Sequence, residues 1–119
     1  MYWTVDFHPA FVEEFDEMGE AVQDRLLAGV ELLREFGPAL GRPHADTLNG
    51  SKYGNMKELR FRVENGVWRA AFAFDPSRQA IVLVAGNRVG RNEGQFYRTL
   101  IDIADRRYGE HLAWLGKDD

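Results

Sequence analysis

The residues best equipped for chemistry in this chain are arginines. Arg60, Arg62 and Arg69 lie in KELRFRVENGVWRAAFAF, residues 57–74, where apolar and polar residues alternate on both sides of Asn65-Gly66. Side chains two apart share a face of a strand. Alternation therefore puts Leu59, Phe61, Val63, Trp68, Ala70 and Phe72 on one face and the three arginines on the other. Asn65-Gly66 as a two-residue hairpin loop predicts Arg62 opposite Arg69 and Val63 opposite Trp68. Like charges opposed across a ladder are destabilising, so the arrangement calls for an anion. Two more arginines, Arg88 and Arg91, follow the apolar run AIVLVAG at residues 80–86.

An arginine presents a planar fork of donors that matches phosphate oxygens. Cleavage of RNA by its own 2′-hydroxyl needs orientation, positive charge where the phosphorane forms, and proton transfer. Arginine stays protonated, so the proton role falls to Tyr97, Tyr108, Lys57 or His44. The competing reading is structural: the arginines pair with Glu58, Glu64 and Asp75 on the surface.

Charge distribution favours the anion. The chain carries a formal −4 over 119 residues. Residues 1–50 hold 3 Lys/Arg against 10 Asp/Glu, residues 51–91 hold 8 against 3, and residues 92–119 hold 4 against 6. Local sign steers a ligand more than the total does, and the central segment is basic. Part of the split also follows from helices favouring glutamate. No cysteine is present, which excludes disulfides, thiolate metal sites and cysteine nucleophiles. The three histidines lie far apart, so neither a metal nor a cofactor is expected. No run of eighteen apolar residues suggests a membrane span. The opening MYWTVDFHPAF lacks the pattern of a secretory signal, so a cytoplasmic location is expected.

The elements that must position these residues follow from periodicity. The length fits a single domain, residues 1–119. Residues 2–7 alternate as a strand. Residues 10–18 and 20–36 read as helices broken at Gly19 and stopped at Gly37-Pro38. Val22, Leu26, Leu27, Val30 and Leu33 form the stripe of the longer helix, with Leu32 off it. Residues 37–55, with four glycines and two prolines, read as an irregular connection pinned by Leu40 and Leu48. The hairpin, a strand at 80–86 buried on both faces, and a helix from about 94 to 115 complete the chain. The result is an α+β fold with a four-stranded, mostly antiparallel sheet packed against the N-terminal helix pair. The arginine face has no obvious cover other than part of the long C-terminal helix.

This order, together with ELRFRVENGVWRAAFAFDPSRQAIVLVAGNRVGRNEGQFY, resembles the RelE/ParE toxin superfamily of type II toxin–antitoxin systems. The segments NMKELRF, WRAAFAFDPSRQAIVLVAG and HLAWL are similar to its phage-derived HigB-like branch. The resemblance implies a RelE-like, microbial-RNase-like fold and a metal-independent endoribonuclease that cleaves mRNA, usually on the ribosome, and inhibits translation. It also implies a small helix-turn-helix antitoxin as partner. It carries catalytic roles onto Arg69, Arg88 and Tyr97, and RNA or phosphate binding onto Arg60 and Arg62. Lys57 and Arg91 extend the binding set from the basic segment itself. The superfamily also contains ParE-type gyrase inhibitors that are not nucleases, and an inactive relative is a third possibility.

Overall fold

The computed structural model of the protein describes residues 2–116. The elements run β1 (Thr4–Phe7), α1 (Pro9–Asp16), α2 (Glu20–Phe36), a 3-10 turn (Gly37–Ala39), β2 (Ala45–Thr47), β3 (Met56–Val63), β4 (Gly66–Phe74), β5 (Gln79–Asn87) and α3 (Glu93–Gly116). The sheet order is β1-β5-β4-β3-β2. β1 runs parallel to β5 and every other pairing is antiparallel. The RelE-like α+β class expected from sequence holds, with a fifth strand added. That strand, β2, is three residues inside the segment read as irregular. It is too short to show alternation, and only pairing with β3 makes it a strand.

Local signals set the helix ends. Pro9 opens α1 at a position where its missing N–H costs nothing, and the His8 ring accepts from Ala10 N at 3.0 Å. α2 ends at Gly37, with φ +55° and ψ −138°, a region open almost only to glycine. A Cβ there would lie 2.2 Å from Trp3 Nε1, so this glycine also lets the indole close against the helix end. Within α2, Leu26, Val30 and Leu33 are buried and Leu32 packs on them, whereas Leu27 is 44% exposed. The predicted roles of Leu27 and Leu32 are thus exchanged. Gly29 faces the Leu59 side chain, and that rotation carries Leu27 outward.

Two cores lie on opposite faces of the sheet. One joins α1 and α2 to Leu59, Phe61, Ala70, Phe72 and Val82. The other joins α3 to Met56, Ala71, Ala73, Ile81 and Leu83. The sheet is therefore the middle of three layers. The expected open face is covered by α3 over much of its area, because the small Ala71 and Ala73 let the helix approach. Leu40 belongs to the first core and Leu48 to the second, so both pin the 37–55 connection as expected. Asp105 of α3 adds a polar anchor, accepting from Ser51 Oγ and Lys52 N.

The hairpin corrects the predicted register. The loop is Glu64-Asn65, and Gly66 pairs with Val63 inside the ladder. Glu64 takes the positive φ, +53°. The shift preserves both faces and changes the partners. Arg60 stands opposite Arg69, Arg62 opposite Val67, and Phe61 opposite Trp68. The last pair stacks with ring centroids 6.1 Å apart at 9°. In this register Glu58 lies diagonal to Arg69 and two residues from Arg60 on the same face, where it answers the opposed arginines.

Candidate active site

Three strands and one helix converge on Glu58. The residue is 4% exposed and Arg69 is 5% exposed. Arg69 Nε donates to Tyr97 Oη at 3.2 Å, and its Nη1 donates to the Trp68 carbonyl at 3.0 Å. Tyr97 Oη donates to Glu58 Oε1 at 3.0 Å. Glu58 Oε1 also lies 3.8 Å from Arg69 Nε, and Glu58 Oε2 lies 3.4 Å from Arg60 Nη1. Arg60 Nη1 stands 3.8 Å from Asp46 Oδ2 on β2, which in turn holds Arg42 Nη2 at 2.7 Å. Charges alternate from the rim inward. Arg69 Nη2 pairs with none of the described residues.

Burial raises the Glu58 carboxyl above its ordinary value, against the pull of Tyr97, Arg69 and Arg60. Burial likewise raises the Tyr97 phenol. Both groups hold protons more readily than in water, because each loses hydration that would stabilise its anion. Perturbed ionisable groups cluster at functional sites, and two adjacent ones beside a cation mark this cluster as a candidate.

The α3 end of the site depends on a β-bulge and a glycine. Between β4 and β5 the register slips at Ala71/Phe72, leaving Leu83 as the extra residue. Before the slip Ile81 faces α3; after it Val84 and Gly86 do. Gly86 therefore pairs with Arg69 on its own face. A Cβ at Gly86 would stand 3.0 Å from the Phe96 ring, so its absence seats the first turn of α3. Phe96 fills the core at 2% exposure, and Tyr97, next in the helix, turns to Arg69.

A cleft of about 460 Å³ opens beside this cluster, lined by Arg25, Arg42, Pro43, His44, Arg60, Phe61, Arg62 and Arg69. It lies where β3 runs beyond the short β2. Arg62 is exposed there. Arg88 follows β5, with Nη1 3.6 Å from Glu93 Oε1 and with its Nε buried and unpaired. Arg91 lies over the Phe96 ring at 5.2 Å. Lys57 has the parity of Leu59 and Phe61 and so projects to the α2 side, across the sheet from the cluster. The structure thus joins Arg69 and Tyr97 directly and Arg60 to them through Glu58, sets Arg62 in the adjoining cleft, places Arg88 and Arg91 at the α3 entrance, and keeps Lys57 away.

Glu58 was legible only as a surface ion-pair partner. Its parity with Arg60 and Arg62 was the available signal. Of the other carboxylates expected to pair with arginines, Glu64 is in the turn, and Asp75 is buried against His111 Nε2 at 2.7 Å. Among the described residues no His/Cys/Asp/Glu group could hold a metal ion.

The family model for phage-derived Gp49-like proteins matches residues 13–109. The chain belongs to the phage-derived Gp49-like family. Two Mycobacterium tuberculosis proteins carrying the toxin names HigB2 and HigB3 are relatives. HigB2 is 44% identical over 114 residues, covering 93% of this Gp49-like chain and 55% of its own length. HigB3 is 46% identical over 84 residues, 71% of each chain. The Gp49-like chain therefore spans about half of HigB2. Its fold is shared with an arginine-substituted form of the Escherichia coli toxin RelE in the free state. That match has a TM-score of 0.60 at 16% identity, covering 85% of this chain and 95% of RelE. A second match is the RelE–RelB complex of Pyrococcus horikoshii, with a TM-score of 0.55 at 18% identity, covering 76% and 99%. These two matches establish a RelE-like fold for the Gp49-like chain.

Proposed function

We propose that the protein is the toxin of a type II toxin–antitoxin system, a metal-independent endoribonuclease that cleaves mRNA on the ribosome and so inhibits translation in the cytoplasm. The observation that carries this reading is Arg69. It is buried, fixed through Nε and Nη1, and keeps Nη2 unpaired among the described residues beside a cleft of arginines. A guanidinium held in this way binds a phosphodiester and stabilises its pentacoordinate state at little reorganisation cost. Arg60 and Arg62 track the RNA backbone, and the Arg88 guanidinium at the α3 entrance supplies a further positive charge. Tyr97 handles the proton of the attacking 2′-hydroxyl. The toxin names of the relatives support the reading, and the RelE–RelB neighbour supports a cognate antitoxin, expected to be a helix-turn-helix DNA-binding protein.

The deciding experiment is induced expression in a sensitive host with mapping of mRNA 5′ ends. Wild type should arrest growth and generate new ends, and Arg69→Ala should do neither. Equal toxicity of the two would remove Arg69 from the mechanism. The internal neutralisation of Arg60 and Arg69 by Glu58 favours a second reading, a non-enzymatic inhibitor of the gyrase-binding type. Growth arrest with intact mRNA and inhibited DNA supercoiling would establish it.

A further inference from the structure

We propose that Glu58 is the proton acceptor behind Tyr97, and that its protonation releases Arg60 and Arg69 to the phosphate as the transition state forms. This rests on the RNA-cleavage reading. At 4% exposure, Glu58 cannot itself reach a 2′-hydroxyl. The half-buried Tyr97 adjoins it, its Oη donating to Glu58 Oε1 at 3.0 Å and accepting from Arg69 Nε at 3.2 Å. A phenol oxygen with its proton committed to a carboxylate keeps acceptor capacity for one more donor. The 2′-hydroxyl of a bound RNA is that donor.

The step balances without a co-reactant. The 2′-oxygen attacks the adjacent phosphorus and the P–O5′ bond breaks, giving a 2′,3′-cyclic phosphate and a 5′-oxygen. The 2′-hydroxyl proton passes to Tyr97 Oη as the Tyr97 proton passes to Glu58 Oε1. The 5′-oxygen takes a proton from water, and Glu58 later returns one to water.

The electrostatics follow from the same transfer. In the resting site one carboxylate faces Arg60, Arg69 and Tyr97, with Asp46 beyond Arg60. While ionised, Glu58 competes with the phosphate for both guanidinium groups. Once it accepts the proton, both positive charges act on the phosphorane at the stage when its negative charge is greatest. That is differential binding of the transition state over the ground state. Burial already favours the protonated carboxyl, which makes it a better base.

Glu58→Gln tests this, because glutamine keeps the hydrogen bond from Tyr97 but takes no proton. Cleavage is measured in single turnover with purified full chain, on free and ribosome-bound mRNA, from pH 5 to 8. Binding is measured to a 2′-O-methyl RNA of the same sequence, which lacks the attacking hydroxyl. Glu58→Gln should cleave about 100-fold or more slowly and lose the acid limb of the pH profile, while binding the 2′-O-methyl RNA as tightly as wild type or tighter. Tyr97→Phe should lose a similar factor, and the double variant no more than either alone. An unchanged rate and pH profile in Glu58→Gln would overturn the relay while leaving RNA cleavage intact. So would a loss of rate matched by weaker binding, the mark of a residue that only orders the site. Intact RNA with the wild-type protein on both substrates would overturn the cleavage reading, and the relay with it.

Discussion

At the scale of single residues, the protein's chemistry turns on which ionisable groups are denied water. Glu58 is the case with a measurable thermodynamic consequence. Its folded-state pKa is raised, so between the ordinary glutamate value and the raised one the folded state binds more protons than the unfolded chain. Stability falls as pH rises through that window. Glu58→Gln removes this loss, and the difference in melting temperature between variant and wild type should be more favourable at pH 7 than at pH 4. A difference that does not change with pH would show that Glu58 is not costly when ionised. His8 shows the opposite use of burial. Its Nδ1 accepts from Ala10 N and its Nε2 lies 3.1 Å from Glu110. Desolvation lowers its pKa, and a second ring proton would break the α1 cap. This histidine serves the fold in its neutral form.

Among elements, the junctions carry the specificity that periodicity leaves open. The bulge in β5 frees the Leu83 carbonyl, and Arg107 Nη1 donates to it at 2.8 Å. Glu14 holds the same guanidinium through two bonds, at 2.8 and 2.7 Å. That hydrogen bonding is the main cause of the lowered Glu14 pKa. One arginine thus ties α1, β5 and α3 together. Arg107→Ala leaves the buried carbonyl unpaired and should cost about 1–3 kcal/mol, read from urea midpoints. A loss below about 0.5 kcal/mol would mean that water replaces the donor. Gly37→Ala should cost about 2 kcal/mol or more, from backbone strain and the clash with Trp3. Trp3→Ala in the same background should restore part of it, since it removes the clash and leaves the strain. Helix boundaries at Gly19 and Gly37 were legible because caps are local. The hairpin register was not. Asn65-Gly66 is a strong turn signal, but stacking of Phe61 on Trp68 and the placing of Glu58 between Arg60 and Arg69 belong to the other register.

For the whole molecule, a net-acidic chain concentrates arginines in one cleft and spreads its carboxylates over the helices. Binding to single-stranded RNA should therefore depend steeply on salt despite the net charge of −4. With Arg60, Arg62, Arg69 and Arg88 on phosphates, the slope of log affinity against log salt should be about −3. Arg62→Ala, remote from the proton path, should reduce it by about 0.7. A slope near zero would remove the cleft from RNA binding.

The sequence by itself determined the order of every element but β2, the ends of the helices and the two faces of the hairpin. Period, caps and alternation are properties of adjacent residues. It placed Arg60, Arg62 and Arg69 on one face, because parity survives a shift in register. Only the tertiary structure decided that α3 would cover much of that face, that Tyr97 would meet Arg69, and that Glu58 would be sealed between them. Those outcomes depend on a one-residue bulge that turns Gly86 toward α3 and on the small side chains that let α3 approach. They arise from contacts between residues far apart in the chain, where no local pattern carries the information.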